Sequence, residues 1–395
     1  MSLKKMILKI SFLNELVNFF RFFWKTPHKE KEIVFYAEHE GYYPNFSGLI
    51  ENLVYANKQK ICYVTSDLND PILVKMGSKI NVFYLKKLLI FFMVYVDCKV
   101  FVITVTDLNQ FHLKRSINPV HYVYVFHSLI STHMGYLRGA FDHYDSILCV
   151  GPHHVKEIRS YEKQNCLPAK ELIEAGYSRL ESVYEEFQMF KKTVNSSSFK
   201  EKTILIAPSW GNGNVIETCG KQVVKILLDA GYRVIVRPHP ETVRREPKLL
   251  SSLDSCFNKH EQFSLELSVA TNDSMLKADL LICDASGIAL EYAFGTERPV
   301  LFIDVPVKIR NLDYKDLGCS VLELESRSRV GRIIDPNNLE NLTQIVSMML
   351  ENQIQYKANI ILTRNKYVYN FGYASQIGSN HILNVKNRSS NNGKM

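Results

Sequence analysis

A short loop with two prolines is the first place in this sequence where side chains could do chemistry. The run "YRVIV" has the character of a buried strand and leads directly into "RPHP", in which Arg237 and His239 each precede a proline. Proline holds the residue before it in extended geometry, so both side chains should be fixed at the end of the strand. Arginine can neutralise a phosphate and histidine can donate a hydrogen bond to it, so the loop predicts a phosphate site.

Two other strand-end loops also have the composition of anion sites. In "APSWGNG", Ser209 and Gly211 follow an apolar run and precede a helix. The N–H groups of such a turn suit a phosphate, although an ordinary strand-to-helix turn explains the pattern equally well. In "CDASGIALE", Asp284, Ser286 and Gly287 open a helix whose N-terminus would hold a diphosphate. Capping of this helix by the same side chains is the alternative, and it is compatible with binding.

Two more residues complete the candidate site. Glu291 lies about 1.4 turns into the helix that Ser286 opens, from where its carboxylate could reach a ribose hydroxyl pair. His127 ends the run "YVYV" and could serve as a general base, because the ordinary pKa of histidine is near neutral. A hydrogen-bonded core histidine is the alternative. The loops contain no obvious metal-binding pair of carboxylates, so neither a metal nor a cofactor is expected.

Composition limits the class of protein and its partners. The chain has 395 residues, of which 46% are hydrophobic, and this length predicts two domains. The formal net charge of +8 fits an anionic substrate, a nucleotide or a membrane surface. We find no zinc-finger spacing, RNA-binding aromatic signature or long basic tract, so no nucleic-acid partner is expected. The eight cysteines are scattered without a C-x-x-C pair, which indicates reduced core residues in a cytosolic protein.

The elements that must position these loops follow an alternating pattern. From about residue 33, short Val/Ile/Tyr-rich runs alternate with helical or loop segments, which indicates a parallel sheet covered on both faces. A polar, serine-rich stretch at 190 to 202 predicts a linker, and a second β-α-β series follows. We therefore predict an α/β protein with two Rossmann-like domains, 29–190 and 200–380, that face each other across a cleft. A polar, frayed tail is expected over 381–395.

The first 28 residues predict a basic amphipathic helix. Lysines and one arginine are mixed with a dense set of apolar residues that ends in "FFRFFWK". The segment lacks the pure apolar stretch of a signal peptide, and its longest uncharged run is too short to span a bilayer. Such a helix could lie on an anionic membrane surface or pack against the body of the protein. Both interpretations require one apolar face, so the sequence leaves them open.

The longer segments around these loops resemble a known enzyme family. "RPHP" and "ADLLICDASGIALEYAFGTERPVLFID", preceded by "ILIAPSW" and "VFHSLISTHMGYLRGAFDHYDSILCVGPHHVKEI", resemble the CDP-glycerol glycerophosphotransferases over about residues 100 to 310. Those enzymes make teichoic acids and related surface polymers and have a two-domain glycosyltransferase-B fold. The resemblance implies that His127 is the catalytic base and that His239 assists at the donor phosphate. The family's Asp-Tyr-Ser-Ser stretch corresponds to 284–287, and its acidic residue corresponds to Glu291.

The resemblance also implies a reaction and a place in the cell. A glycerol phosphate, a related polyol phosphate or a glycosyl group would pass from a CDP-linked or other nucleotide-linked donor to a surface-polymer or lipid-linked acceptor. The N-terminal domain would bind the acceptor and the C-terminal domain the donor. The protein would be cytoplasmic and peripheral on the inner membrane surface, in teichoic acid or capsule synthesis.

Departures from the family pattern keep the donor open. His127 is followed by Ser-Leu-Ile where the family has Gly-Thr-Pro, and Ala285 and Gly287 replace a tyrosine and a serine. CDP-glycerol, CDP-ribitol and nucleotide sugars are all compatible with these changes. A nucleotide-sugar 2-epimerase of the same fold is the first alternative, because "DASGIALE" shares its Ser-Gly and downstream Glu. A non-catalytic, membrane-associated relative is the second.

Overall fold

Two parallel sheets with helices around them make up the protein. The computed structural model describes residues 3–75, 79–193, 201–268 and 271–392. The chain forms two compact units. The first unit comprises Met1–His127, Tyr136–Arg179 and Tyr369–Met395, and the second comprises Ser128–Gly135 and Leu180–Val368.

The first unit contains a seven-stranded sheet, in which every pair of neighbours is parallel. Its strands are β1 Ile33–Ala37, β2 Ile61–Thr65, β3 Ile80–Tyr84, β4 Val100–Ile103, β5 His121–Val125, β6 Ser146–Cys149 and β7 Glu171–Glu174. The strand order is β3-β2-β1-β4-β5-β6-β7. Every residue of β1, β2 and β4 is buried, which explains why these strands read as continuous apolar runs.

Helices connect these strands and cover the sheet. In chain order the helices up to residue 193 are α1 Leu3–Phe20, α2 Tyr43–Glu51, α3 Ile72–Lys75, α4 Leu89–Tyr95, α5 Thr132–Gly135, α6 Pro152–Gln164 and α7 Ser178–Thr193. The short helix α5 belongs to the second unit, as does most of α7. In the core of the first unit, Phe35, Leu53 and Val102 have no solvent exposure.

The second unit contains a six-stranded parallel sheet. Its strands are β8 Thr203–Ile206, β9 Arg233–Val236, β10 Phe263–Leu265, β11 Leu280–Cys283, β12 Val300–Ile303 and β13 Gly331–Ile334. Its helices are α8 Val215–Thr218, α9 Gly220–Asp229, α10 Pro240–Arg245, α11 Pro247–Phe257, α12 Asp273–Lys277, α13 Gly287–Thr296, α14 Leu322–Glu325, α15 Arg327–Val330, α16 Leu342–Glu351 and α17 Gln353–Tyr367. A last helix, α18 Ala374–Asn392, belongs to the first unit.

The strand order of each sheet marks where a ligand would bind. In the second sheet the order is β10-β9-β8-β11-β12-β13, so the chain reverses its direction across the sheet between β8 and β11. In the first sheet the same reversal occurs between β1 and β4. Loops at the carboxyl ends of the two strands diverge at such a switch point and leave a crevice for a ligand.

The domain boundaries differ from those that the sequence predicts. The contact boundary lies between Arg179 and Leu180, before the serine-rich stretch, of which 194–200 is outside the described residues. The predicted frayed tail is wrong as far as Asn392, because α18 is a continuous helix that packs on the first unit. Ile382 is 0% exposed and Val385 2%, and Ile377 and Leu383 pack against the same core, so apolar residues anchor this mostly polar helix.

The cysteines only partly follow the prediction of core residues. All eight are free, and five are buried, while Cys319 is half-buried and Cys166 and Cys256 are exposed. Burial raises the pKa of the Cys219 thiol to about 11 and that of Cys62 to about 12, so these thiols are protonated at neutral pH.

The N-terminal helix packs on the first unit by a few residues and exposes apolar ones. Glu15 is buried, and its carboxylate accepts hydrogen bonds from the N–H groups of Lys86, Lys87 and Leu88 at the start of α4. Phe22 is fully buried beside Phe92, with ring centroids 4.8 Å apart. Among the described residues, no helix is long and apolar enough to span a bilayer.

Candidate functional site

The loops after β8 and β11 are joined by an aspartate and a serine. Both the N–H and the hydroxyl of Ser209 donate to the Asp284 carboxylate, at 2.9 and 2.8 Å. Asp284 is only 4% exposed, and burial raises its pKa. Each carboxylate oxygen thus accepts from Ser209. Ser209 and Asp284, two of the residues predicted to bind phosphate, therefore join the two loops at the switch point.

The glycine-rich turn after β8 uses the backbone freedom of its two glycines. Gly211 has a φ of 111° and Gly213 has a φ of 74°. Residues other than glycine rarely adopt positive values of φ. Asn214 then caps α8, because its side chain accepts from the N–H groups of Ile216 and Glu217. The turn is a tight strand-to-helix connection that brings the backbone of Gly211 to the carboxyl edge of the sheet.

His239 and Arg237 are placed differently from each other at the end of β9. His239 is the N-cap of α10, and its Nδ1 accepts a hydrogen bond from the N–H of Glu241. In the neutral ring the proton therefore lies on Nε2, which can act as a donor. Arg237 is only 4% exposed and donates to the hydroxyl of Ser274 at 3.1 Å. Its guanidinium contributes to packing on α12, which the sequence did not predict.

The start of α13 places a serine at the N-cap and a glycine at the first helical position. Ser286 is the N-cap, yet among the described residues its side chain makes no capping hydrogen bond and lies 3.1 Å from the Cys283 sulfur. The capping alternative is thus wrong for Ser286. A Cβ on Gly287 would overlap the Ser128 hydroxyl oxygen, so a larger residue there would require the Ser128 side chain to move. Glu291 lies within α13 and is 5% exposed.

A tryptophan with two cations lies among the same loops, and the sequence analysis missed it. The Lys308 ammonium is 2.7 Å from the ring centroid of Trp210, and the Arg245 guanidinium carbon is 4.9 Å from it. The His239 ring is 6.1 Å from the Trp210 ring, centroid to centroid. Trp210 and Lys308 each lie in a loop that follows a strand, so the same rule that selected His239 could have selected them.

His127 lies with other aromatic residues at the carboxyl edge of the first sheet. Its Nδ1 is 3.4 Å from the Thr104 hydroxyl, and its ring lies 5.4 Å from Tyr42 and 6.0 Å from Tyr136. Tyr42 also stacks on His39 at 4.2 Å. Thr104 follows β4, and His39 follows β1, so these residues are at the switch point of the first sheet. Sequence reasoning passed over His39 and Tyr42 because the loop "HEGYY" has no phosphate-binding pattern.

The segment after His127 is part of the second unit. The Ser131 N–H donates to Glu323 at 2.9 Å, and the Ser131 hydroxyl accepts from the N–H of Leu322 at 2.8 Å. The Asn311 amide donates to the carbonyl of His133. These bonds hold the stretch Ser128–Gly135 in the second unit, which explains how Ser128 comes to lie against Gly287.

One group of side chains in the first unit has atoms that could hold a cation. His121, Glu171 and His381 offer ligand atoms within 4.8 Å of one another. Both histidines lie 2.9 Å from the Ser146 hydroxyl, and Glu171 pairs with Arg388. His121, Ser146 and Glu171 are the first residues of β5, β6 and β7, at the edge of the sheet opposite to His127. The group is therefore separate from the candidate site.

Solved structures with the same fold include one polymerase and several epimerases. A variant of the wall teichoic acid polymerase TagF aligns with a TM-score of 0.61 at 15% identity, over 96% of this chain and 98% of that chain. MnaA of S. aureus, solved with UDP, aligns with a TM-score of 0.59 at 15% identity, over 90% of this chain and 97% of that chain. A UDP-GlcNAc 2-epimerase from Neisseria meningitidis, bound to UDP-GlcNAc, aligns with a TM-score of 0.56 at 13% identity, over 89% of this chain and 99% of that chain. The predicted glycosyltransferase-B type of α/β fold is confirmed.

The family assignment rests on the sequence as a whole. A search of curated protein sequences gives no match. The sequence profile of the CDP-glycerol:poly(glycerophosphate) glycerophosphotransferases matches residues 18–376. This match confirms the predicted enzyme class, a transferase that uses a nucleotide-linked donor. The chain belongs to the CDP-glycerol:poly(glycerophosphate) glycerophosphotransferase family.

Proposed function

We propose that this transferase moves glycerol phosphate, or a closely related polyol phosphate, from a CDP-linked donor to a hydroxyl of a lipid-linked polymer. The family match supports a CDP-linked donor, and the similar structure named a wall teichoic acid polymerase supports a polymer acceptor. One observation carries the proposal. Gly211, His239 and Ser286 follow β8, β9 and β11, three adjacent strands, at the carboxyl edge where a diphosphate would lie.

The proposed step is a displacement at phosphorus. The acceptor oxygen forms a bond to the phosphorus that carries glycerol, while the bond from that phosphorus to the bridging oxygen breaks. The electron pair stays on the bridging oxygen, which leaves as part of CMP, and His127 takes the acceptor proton. Phosphoryl transfer requires mainly positioning and electrostatic stabilisation, which a site of backbone N–H groups and histidines can supply.

Each residue at the second sheet has its own part in this step. The Nε2–H of His239 donates to a donor phosphate, because Nδ1 already accepts from Glu241. The backbone of Gly211 and the start of α13 at Gly287 bind the diphosphate, and Glu291 binds the ribose. The other three predicted residues act indirectly. Ser209 and Asp284 fix the two loops, and Arg237 holds the end of β9 on α12.

The outward side of α1 supports association with the cytoplasmic face of the membrane. Leu13, Val17, Phe20 and Trp24 are 52–69% exposed. The first three share one face of α1, and Trp24 lies in the π-helical continuation Arg21–Lys25. We call these four residues the outward stripe. The neighbouring helix α4 also exposes Phe91, at 58%. An exposed apolar face of this kind, flanked by lysines, fits an anionic lipid surface and a lipid-linked acceptor.

Product analysis tests the reaction. Wild-type protein is incubated with CDP-glycerol and a lipid-linked oligomer, and ³¹P NMR follows the new phosphodiester and CMP. We expect turnover in the wild type and a loss of about a hundredfold or more in His127→Gln and His239→Gln. His112→Gln, an exposed histidine in the first unit, is the matched control and should retain full activity.

Two results would contradict the proposal. Full activity in both histidine variants would remove the mechanism. Interconversion of UDP-GlcNAc at C2 without any acceptor, together with no turnover of CDP-linked polyols, would assign the chain to the epimerase alternative.

A further inference from the structure

The loop after β12 reaches the site through a contact with the turn after β8. Pro306 lies 3.8 Å from the position that a Cβ on Gly213 would occupy, so the two loops are neighbours. Lys308 follows two residues later and extends over the ring of Trp210. Lys308 therefore lies beside the turn after β8, although it belongs to none of the predicted motifs.

The Lys308 ammonium is in an unfavourable setting for a cation. Its side chain is half-buried, and burial lowers its pKa to about 8. The charges of Arg310 on the same loop and Arg245 on α10 lower the pKa further. Two of these cations, Lys308 and Arg245, share the ring of Trp210. Cation–π attraction to that ring offsets only part of the cost of removing the Lys308 ammonium from water.

The nearby carboxylates bond to groups other than Lys308. Glu241 raises the pKa of Lys308, but its carboxylate is bonded to Arg244 and Arg245 on its own helix. Asp284 also raises the pKa of Lys308, but both of its carboxylate oxygens accept hydrogen bonds from Ser209. Within the described part of the chain, Lys308 forms no ion pair. The site has an excess of positive charge that an anionic ligand would balance.

We propose that Lys308 and Arg245, held on Trp210, bind the diphosphate of the donor, and that Lys308 compensates the charge of the departing CMP. This inference rests on the proposed function. When the bond between phosphorus and the bridging oxygen breaks, the electron pair leaves a second negative charge on the CMP phosphate. A partly desolvated ammonium beside that oxygen stabilises this charge more strongly than an exposed one would.

A comparison of two ligands tests the binding half of the inference. Dissociation constants for CDP and for cytidine are measured by calorimetry on wild type, Lys308→Ala and Lys315→Ala. Lys315 is the matched control, because it is exposed and lies 5.9 Å from the ring centroid of Tyr314. In Lys308→Ala we expect the affinity for CDP to fall about tenfold or more, while that for cytidine is unchanged. Lys315→Ala should bind both ligands as the wild type does.

The pH dependence gives a second readout that does not need the alanine variant. CDP binding requires a charged Lys308, so wild-type affinity should fall as pH rises through about 8. Lys308→Arg keeps its charge at every accessible pH, so its affinity for CDP should be level between about pH 7 and 9. The same variant should keep most of the rate of CMP release.

Each outcome separates this inference from the proposed function. If the wild type binds no CDP and turns over no CDP-linked polyol, the proposed function itself fails. If the wild type binds CDP and Lys308→Ala binds it equally well, only the role of Lys308 is overturned. An equal loss of CDP and cytidine binding would show that Lys308 merely fastens two loops through Trp210. A wild-type affinity for CDP that does not change through pH 8 would also contradict the inference.

Discussion

At the scale of single residues, the structure shows that some predicted site residues hydrogen-bond to other parts of the protein. Ser209 and Asp284 have the types and positions of ligand-binding residues, yet they bind each other. Arg237 likewise donates to Ser274 within the protein. Because both carboxylate oxygens of Asp284 already accept from Ser209, we expect the pair to act by holding the turn at Gly211 in position.

The Ser209–Asp284 pair yields a stability prediction. Asp284→Ala removes two buried hydrogen bonds and should cost about 2–4 kcal/mol of the free energy of unfolding. Asp284→Asn should cost less than about 1 kcal/mol, because the amide oxygen accepts from the Ser209 N–H, the amide N–H donates to its hydroxyl, and a buried charge is removed. Urea unfolding is followed by Trp210 fluorescence in a Trp24→Phe background. If the two variants lost the same free energy of unfolding, the Ser209–Asp284 hydrogen bonds would not be the source of the stabilisation.

At the scale of elements, α1 and α4 form one surface because one carboxylate joins them. Glu15 accepts from three consecutive N–H groups at the start of α4, where a helix has donors without an intrahelical partner. A buried glutamate inside a mostly apolar and basic helix fixes the rotation of α1. This rotation turns the outward stripe to the solvent and Phe22 to the core.

The outward stripe predicts binding to anionic membranes. Val17→Glu combined with Trp24→Glu should reduce sedimentation with phosphatidylglycerol vesicles at least about tenfold, since each change removes buried apolar area and adds repulsion. Ile354→Glu, on the 88%-exposed position of α17, is the control and should bind as the wild type does. Binding of the wild type should weaken with salt and with phosphatidylcholine in place of the anionic lipid. Sedimentation that is unaffected by the double substitution would exclude this face of α1.

At the scale of the whole molecule, the chain crosses between its two units more than once. Ser128–Gly135 enters the second unit, and the last segment from Tyr369 returns to the first. The returning helix α18 buries Ile382 and His381 against the first sheet, whose strands were formed by residues more than two hundred positions earlier. The integrity of the first unit therefore depends on the last residues of the chain.

The return of α18 predicts acid sensitivity of the first unit. Burial lowers the pKa of His381 from 6.5 to about 4, although Glu171 acts to raise it. The folded state therefore binds this proton less readily than the unfolded state, so the contribution of His381 is complete above about pH 6.5 and is lost toward pH 4. The loss should reach about 3 kcal/mol at most.

Urea unfolding between pH 7 and 4 checks this prediction in the first unit. The chain has two tryptophans, so Trp24 reports on the first unit in a Trp210→Phe background. His381→Gln should flatten the loss of stability on acidification, whereas the exposed His112→Gln should leave it unchanged. If stability fell with pH in His381→Gln as it does in the wild type, groups other than His381 would account for the acid sensitivity.

Some of the candidate site could be read from the sequence because it depends on local rules. The position of His239 after a buried strand, and of Ser286 and Gly287 before a helix, follows from strand periodicity, proline geometry and helix capping within about ten residues. The alternating α/β pattern followed in the same way. Lys308 obeys the same strand-end rule, yet nothing in "DVPVK" distinguishes it, since its setting arises from Trp210 nearly one hundred positions earlier.

The sequence by itself determined the two parallel sheets, the strand-end loops and the family, because apolar periodicity and short motifs are encoded locally. Only the tertiary structure decided that Asp284 is satisfied by Ser209, that Arg237 is buried and that α18 completes the first unit. It also decided that Lys308 and Arg245 meet at Trp210. The physical reason is that hydrogen-bond partners, burial and charge neighbours are set by residues that are distant in sequence, and no local pattern specifies which of them will meet.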